Sequence, residues 1–159
     1  MDIADLNTIL HFAFATLLPA ATSILLTLLG RTKQFADLGY WPKQVIYGLV
    51  FGAIAVYGTE AGIVTHDATM NVRDAAPLTA GLFFGGPAGI IAGVIGGVER
   101  WFAALWGAGM LSRVGCSVAT ILAGVFAALL RRFVFDGERP RWLISFALGV
   151  MVEVSHMCC

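Results

Sequence analysis

Two arginines stand inside the apolar part of this chain: Arg73 in Asn71-Val72-Arg73-Asp74, and Arg100 in Gly96-Gly97-Val98-Glu99-Arg100-Trp101. A guanidinium group is planar, stays charged, and offers a fork of donors that grips a carboxylate or phosphate through two parallel hydrogen bonds. Ionisable groups at membrane depth are expensive and mark functional sites. The chemistry these residues point to is recognition of a small anion. The competing account is that each arginine snorkels to lipid headgroups, with Trp101 in the aromatic belt. Spacing separates the two accounts. The arginines are 27 positions apart, which along one straight helix is about 40 Å. A shared pocket therefore requires the chain between them to fold back, or a re-entrant 59–74 connection.

The element that must do this carries glycine at every fourth position, Gly81, Gly85, Gly89, Gly93 and Gly97, and is interrupted by Gly85-Gly86-Pro87. In water each glycine costs a helix about 1 kcal/mol relative to alanine. In lipid, small residues four apart form a flat stripe on which another backbone can pack closely. A broken helix at membrane depth is tolerated only where it is buried in protein or lines a cavity. The ladder predicts close packing, and the Gly-Gly-Pro predicts a break near Pro87.

Composition sets the frame. Of 159 residues, 58% are hydrophobic and 13% charged, against roughly 25% charged for a soluble domain. The chain reads as a membrane protein with the lipid bilayer as its first partner. Lys+Arg and Asp+Glu are 10 each, and no basic block carries interleaved aromatics, so nucleic acid is not an expected partner. Apolar runs able to cross a core about 30 Å thick occupy 7–29, 43–62, 75–98, 114–130 and 142–159. The expected fold is an all-α polytopic bundle of five spans, the third glycine-rich and broken, in one domain over 1–159. The last run ends at Cys158-Cys159 without a polar flank, so a sixth span lost by truncation is expected.

Orientation gives a conflict. Arg131, Arg132, Arg139 and Arg141 crowd one short loop, while Arg31, Lys33 and Lys43 flank the first. Both ask to be cytoplasmic, yet in a five-span alternation they fall on opposite faces. Either the third segment returns to its own face as two half-helices, or the first loop yields to the more basic fourth.

Other polar residues are candidates beside the arginines. Cys116, Ser117 and Thr120 open the fourth span, where they either bond to their own helix backbone or line a pocket beside Arg100. Glu153 and His156 share one face of the last run and are possible polar partners, or sit at an interface. Asp74 and Glu99 adjoin the arginines, but neighbouring positions on a helix do not face each other, so pairing across helices is the expectation. There is no phosphate-loop lysine after Gly85-Gly86-Pro87, no second copy of Glu153-x-x-His156, and no nucleophile elbow. No catalytic residue, metal or cofactor is expected.

With these residues assembled, the chain resembles the transmembrane sensing region of LytS-type bacterial sensor histidine kinases, the five-transmembrane LytS-type receptors. The match runs through Gly58-Thr59, Asn71-Val72-Arg73, Thr79 to Gly89, Gly93-x-x-Gly96-Gly97-x-x-Arg100-Trp101 and Cys116 to Gly124, and covers most of 45–157. The resemblance implies a multi-pass receptor of the bacterial inner membrane, with a cytoplasmic kinase or, in relatives, a diguanylate cyclase module following it, working in two-component signal transduction as a homodimer. It also implies a small anionic ligand such as a pyruvate-like carboxylate, bound through Arg73 and Arg100 with Asn71, Cys116, Ser117 and Thr120 beside them. Similar architecture occurs in substrate-binding subunits of vitamin-uptake transporters, which is the alternative function.

Overall fold

The computed structural model describes residues 3–60, 63–65, 68–70, 73–103, 105 and 113–157. Helices occupy all five apolar runs: α1 Ile3–Leu29, α3 Tyr40–Glu60, α4 Ala75–Thr79 with α5 Gly86–Ala103, α6 Arg113–Phe133 and α7 Trp142–Met157. A single turn, α2 Lys33–Ala36, sits in the first connection. Among the described residues α6 is the one helix both long and apolar enough to cross a membrane by length and composition.

One element departs from the all-helical expectation. Ile63–Thr65 (β1) and Ala68–Met70 (β2) pair antiparallel, with Ile63 opposite Met70 and Thr65 opposite Ala68. Ile63, Val64 and Thr65 are three β-branched residues in succession, stiff at χ1 and better suited to extended backbone than to a helix.

The third apolar run is a hairpin. After α4 the chain widens into a π turn, Ala80–Phe84, closed by the Gly85 N–H donating to the Ala80 carbonyl over 3.1 Å. Gly85 then takes φ 150° and ψ 151°, a conformation open to glycine and strained for other residues, and α5 starts at the next position. The break falls two residues before Pro87, which takes a first-turn position of α5 where its missing N–H costs nothing. The arms touch along their backbones: a β carbon on Gly89 would lie 2.6 Å from the Gly81 Cα and 3.1 Å from the Pro77 carbonyl.

The other glycines explain how this hairpin is held. Gly48 and Gly52 of α3 receive Ile91 and Ile95 of α5, each leaving only 2.6 Å from a would-be β carbon. On its other side, α5 presents Gly93 and Gly97 to α6, where added β carbons would meet the Thr120 carbonyl at 3.0 Å and the Ser117 carbonyl at 2.7 Å. Gly81 closes on Ala127 of α6. Read along these pairs, α3 runs parallel to α5, and α6 runs antiparallel to it. The core between them is small-residue packing, Ala55, Ala76, Ala80, Ala88 and Ala92 with Phe51, Leu26 and Phe84, while Leu122, Phe126, Leu129 and Phe133 of α6 face outward.

This arrangement places both basic loops at one end. Gln44, just after the first loop, reaches the hairpin tip, and so does Arg131, in the last turn of α6 before the loop to α7. Of the two ways out of the orientation conflict, the fold takes the first, because the third segment leaves from and returns to the opposite end.

Candidate functional site

At that opposite end the end of α3, the turn before α4, the last turns of α5 and the start of α6 converge. Arg73 is fully buried there. Its backbone rests against Gly58, where a β carbon would come within 3.1 Å of the Arg73 Cα, and its side chain passes Gly96, 3.7 Å from Cδ to the would-be β carbon. Arg73 Nε donates to Thr120 Oγ1 over 2.7 Å, and Thr120 Oγ1 donates to Asp74 Oδ1 over 2.6 Å. Asp74 Oδ1 also lies 3.8 Å from Arg73 Nε, with both side chains essentially inaccessible. The outer nitrogens reach the neighbouring helices, Nη1 to Thr59 Oγ1 and Nη2 to the Cys116 carbonyl, each at 3.4 Å.

Asp74 corrects the expectation that it would not pair with its neighbour. The rule that adjacent residues diverge holds on a helix, but Arg73 and Asp74 occupy a turn before α4, and both side chains bend toward α6.

Arg100 lies one helical turn beyond Gly96 on the same face of α5 and is 4% exposed. It is close enough to Arg73 for the two charges to act on each other, as are Glu99 and Cys116. Glu99 is half-buried, and its Oε2 is buried without a hydrogen-bond partner among the described residues. Ser117 shares the buried face of α6 with Thr120, and its hydroxyl oxygen has no hydrogen-bond partner among the described residues. Thr120, beyond its contacts to Arg73 and Asp74, is within 3.0 Å of the Cys116 carbonyl one turn back. At the rim, the Arg113 guanidinium stacks 4.1 Å above the Trp101 ring. Trp101 therefore has a specific partner at the α5–α6 junction.

The other end of the hairpin holds residues that the motifs did not single out. Gln44, 3% exposed, donates from Nε2 to the Phe84 carbonyl over 3.0 Å and accepts from the Ala88 N–H over 3.2 Å. One amide thus satisfies a carbonyl and an N–H on the two sides of the helix break. Its side chain fills the space that a β carbon on Gly85 would need. Tyr47 and Phe51 pack on Phe84, with ring centroids 4.6 and 5.3 Å away. Arg131, in the last turn of α6, donates from Nη1 to the Leu82 carbonyl over 2.9 Å and from Nε to the Gly137 carbonyl over 3.1 Å, so it ties α6 and the following loop to the π turn.

The fold brings Arg73, Arg100, Cys116, Ser117 and Thr120 to one end of the bundle. Gly81, Gly85, Gly86, Pro87, Gly89, Gly93 and Gly97 belong to the hairpin that brings them there. Asn71 lies outside the described residues, as do the side chains of Glu153 and His156, which sit in α7. Thr59 and Asp74 complete the cluster. Among the described residues no group of histidine, cysteine and carboxylate side chains could hold a metal ion.

A sensor histidine kinase of Escherichia coli strain K12, YpdA, is 27% identical over 139 residues, covering 84% of this chain and 24% of the kinase. The chain thus spans about a quarter of the length of that curated relative. No solved structure matches. The family model described as the 5TMR of 5TMR-LYT matches residues 27–159, from the end of α1 through the hairpin and the arginine cluster to α7. This chain belongs to that family, the multi-pass membrane receptor regions of LytS type.

Proposed function

We propose that this region is the ligand-sensing membrane part of a bacterial two-component sensor histidine kinase, and that it recognises a small carboxylate of the pyruvate class between Arg73 and Arg100. The observation that carries the reading is the Ser117 hydroxyl: buried, without a hydrogen-bond partner among the described residues, and one turn along α6 from the hydroxyl that holds Arg73. A buried hydroxyl left unmade costs about 1–3 kcal/mol; a ligand oxygen beside two arginines supplies the missing partner. Thr120 and Thr59 orient Arg73, Arg100 contributes the second charge, and Cys116 lines the approach. The kinase kinship of the relative supports a cytoplasmic output module beyond this region in the full-length protein, working as a homodimer.

The two basic loops favour a cytoplasmic position for the hairpin tip, which turns the arginine end toward the outside of the inner membrane. A ligand there changes signalling only by preferring one of two arrangements of the bundle. The hairpin is suited to that task because it touches the site at one end and the basic loops at the other.

The experiment is a thermal-shift and calorimetric titration of the purified chain in detergent with pyruvate, lactate and acetate. Wild type is stabilised, by about 2.7 kcal/mol at a hundredfold excess over Kd, whereas Arg100→Ala and Arg73→Lys lose the effect. A wild-type chain that no small carboxylate stabilises overturns the reading.

A further inference from the structure

We infer that the hairpin tip carries a binding site for the phosphate of an anionic phospholipid headgroup, gripped between Arg131 and Arg139. The site lies at the end of the bundle away from Arg73 and Arg100, so it stands independently of the carboxylate reading.

The end of α6 and the loop after it are folded to hold both guanidinium groups there. Asp136 and Gly137 take positive φ, 48° and 84°, and the Gly137 N–H returns to the Arg131 carbonyl over 2.7 Å. In this curl Arg131 Nε donates to the Gly137 carbonyl and Nη1 to the Leu82 carbonyl, which pins the group in one orientation and leaves Nη2 unused among the described residues. Arg139 comes round over the Phe84 ring, 5.8 Å from Cζ to the centroid, within cation–π range. The two arginines are close enough for their charges to oppose each other, and no ion pair joins either to a carboxylate among the described residues. Like charges held together at the edge of an apolar bundle call for a shared anion, and phosphate oxygens suit guanidinium donors in pairs.

The surroundings select a lipid as the source of that phosphate. The first connection brings Arg31, Lys33 and Lys43 against one carboxylate, Asp37, and the end of α6 with its loop brings Arg131, Arg132, Arg139 and Arg141 against Asp136 and Glu138. Such an excess of positive charge draws an anionic lipid surface. Further into the bundle the outward faces turn apolar, with Val45 and Leu49 of α3 and Phe126 and Leu129 of α6 exposed. Tyr40 and Trp41, exposed and packed edge-on against each other, stand between the two zones, at the level where aromatic side chains meet headgroups. Tyr40 is also within electrostatic reach of Arg131. A free phosphate meets the charge alone, whereas a phospholipid also lays its acyl chains along the apolar faces.

The test is native mass spectrometry of the chain released from a neutral detergent, with dioleoyl phosphatidylglycerol, dioleoyl phosphatidylcholine and inorganic phosphate as probes. Wild type is expected to bind phosphatidylglycerol at least about tenfold more tightly than either of the others, the worth of one hydrogen bond to a charged group. Arg139→Gln is expected to weaken phosphatidylglycerol binding by about tenfold or more on the same ground. Arg132→Gln removes an equal charge next to Arg131, where the guanidinium sits over Phe133 instead of the tip. It should cost no more than about fivefold, the loss expected of any basic residue near an anionic surface. Equal affinity of wild type for the two lipids overturns the inference without any variant. Equal losses in the two variants overturn it by reducing the site to a diffuse positive surface. Inorganic phosphate bound as tightly as phosphatidylglycerol overturns it in favour of a soluble anion. None of these outcomes bears on pyruvate binding at the other end, so the two proposals fail separately.

Discussion

The α carbon of Gly81 sits 2.6 Å from the point a β carbon on Gly89 would occupy. The two arms of the hairpin therefore meet backbone to backbone, and this contact fixes their register. Counting outward from it along both arms, Arg73 arrives beside Gly96, and Arg100 follows one turn later. Gly89→Ala must push the arms apart, with an expected loss of about 1–3 kcal/mol and a weaker ligand response, measured by thermal unfolding in detergent. Gly115, with nothing within 4 Å, is the control: Gly115→Ala should lose nothing and gain up to about 1 kcal/mol of helix propensity.

Gln44 offers a second handle on the same hairpin. Gln44→Leu strands both the Phe84 carbonyl and the Ala88 N–H, at about 1–3 kcal/mol for each buried group left unpaired. Gln44→Glu keeps the acceptor and loses the donor, so its Tm should fall between those of Gln44→Leu and wild type. Equal stability of Gln44→Leu and wild type would show that the amide does not hold the break.

Arg73 and Asp74 should behave as a coupled pair. Arg73→Ala leaves a buried carboxylate without its nearest charge and is expected to cost about 3–5 kcal/mol. Removing both, as Arg73→Ala with Asp74→Ala, should cost less than the two single changes added together. The coupling is read from a double-mutant cycle on unfolding free energies; simple additivity would contradict the ion pair.

The hairpin also predicts sidedness. With Cys116, Cys158 and Cys159 replaced, single cysteines at Thr32 and Glu138 should react with a membrane-impermeant maleimide from the same side, and one at Glu60 from the other. All three positions are exposed. Labelling of Thr32 and Glu138 from opposite sides would mean that the third segment crosses once.

Much of this was legible in the residues. The four-residue glycine period signals close backbone approach whatever the partner, and Gly85-Gly86-Pro87 cannot continue a helix unbroken, so the stripe and the break both stand in the sequence. The break was the condition under which chain reach allows Arg73 and Arg100 to share one end; the residues alone left headgroup contact as the alternative. Gln44 was not legible, because a lone amide in an apolar helix carries no mark of which distant backbone groups it serves. The Asp74 pairing is not legible, because adjacent residues diverge on a helix and nothing in the sequence marks Arg73 and Asp74 as a turn. The short β pair hid in a polar connection where three β-branched residues were too few to make a pattern.

The π turn at Ala80–Phe84 closes a five-residue loop where an α-helix closes a four-residue one. Each residue of an α-helix advances the bearing of a side chain by about 100°. The turn is thus a spacer of angle more than of length: it sets the compass heading at which Arg73 arrives at the far end, toward Thr120. Deleting one residue there would shorten the arm by only about 1.5 Å, yet swing Arg73 roughly a quarter-turn off α6 and uncouple the arginines while leaving the hairpin folded.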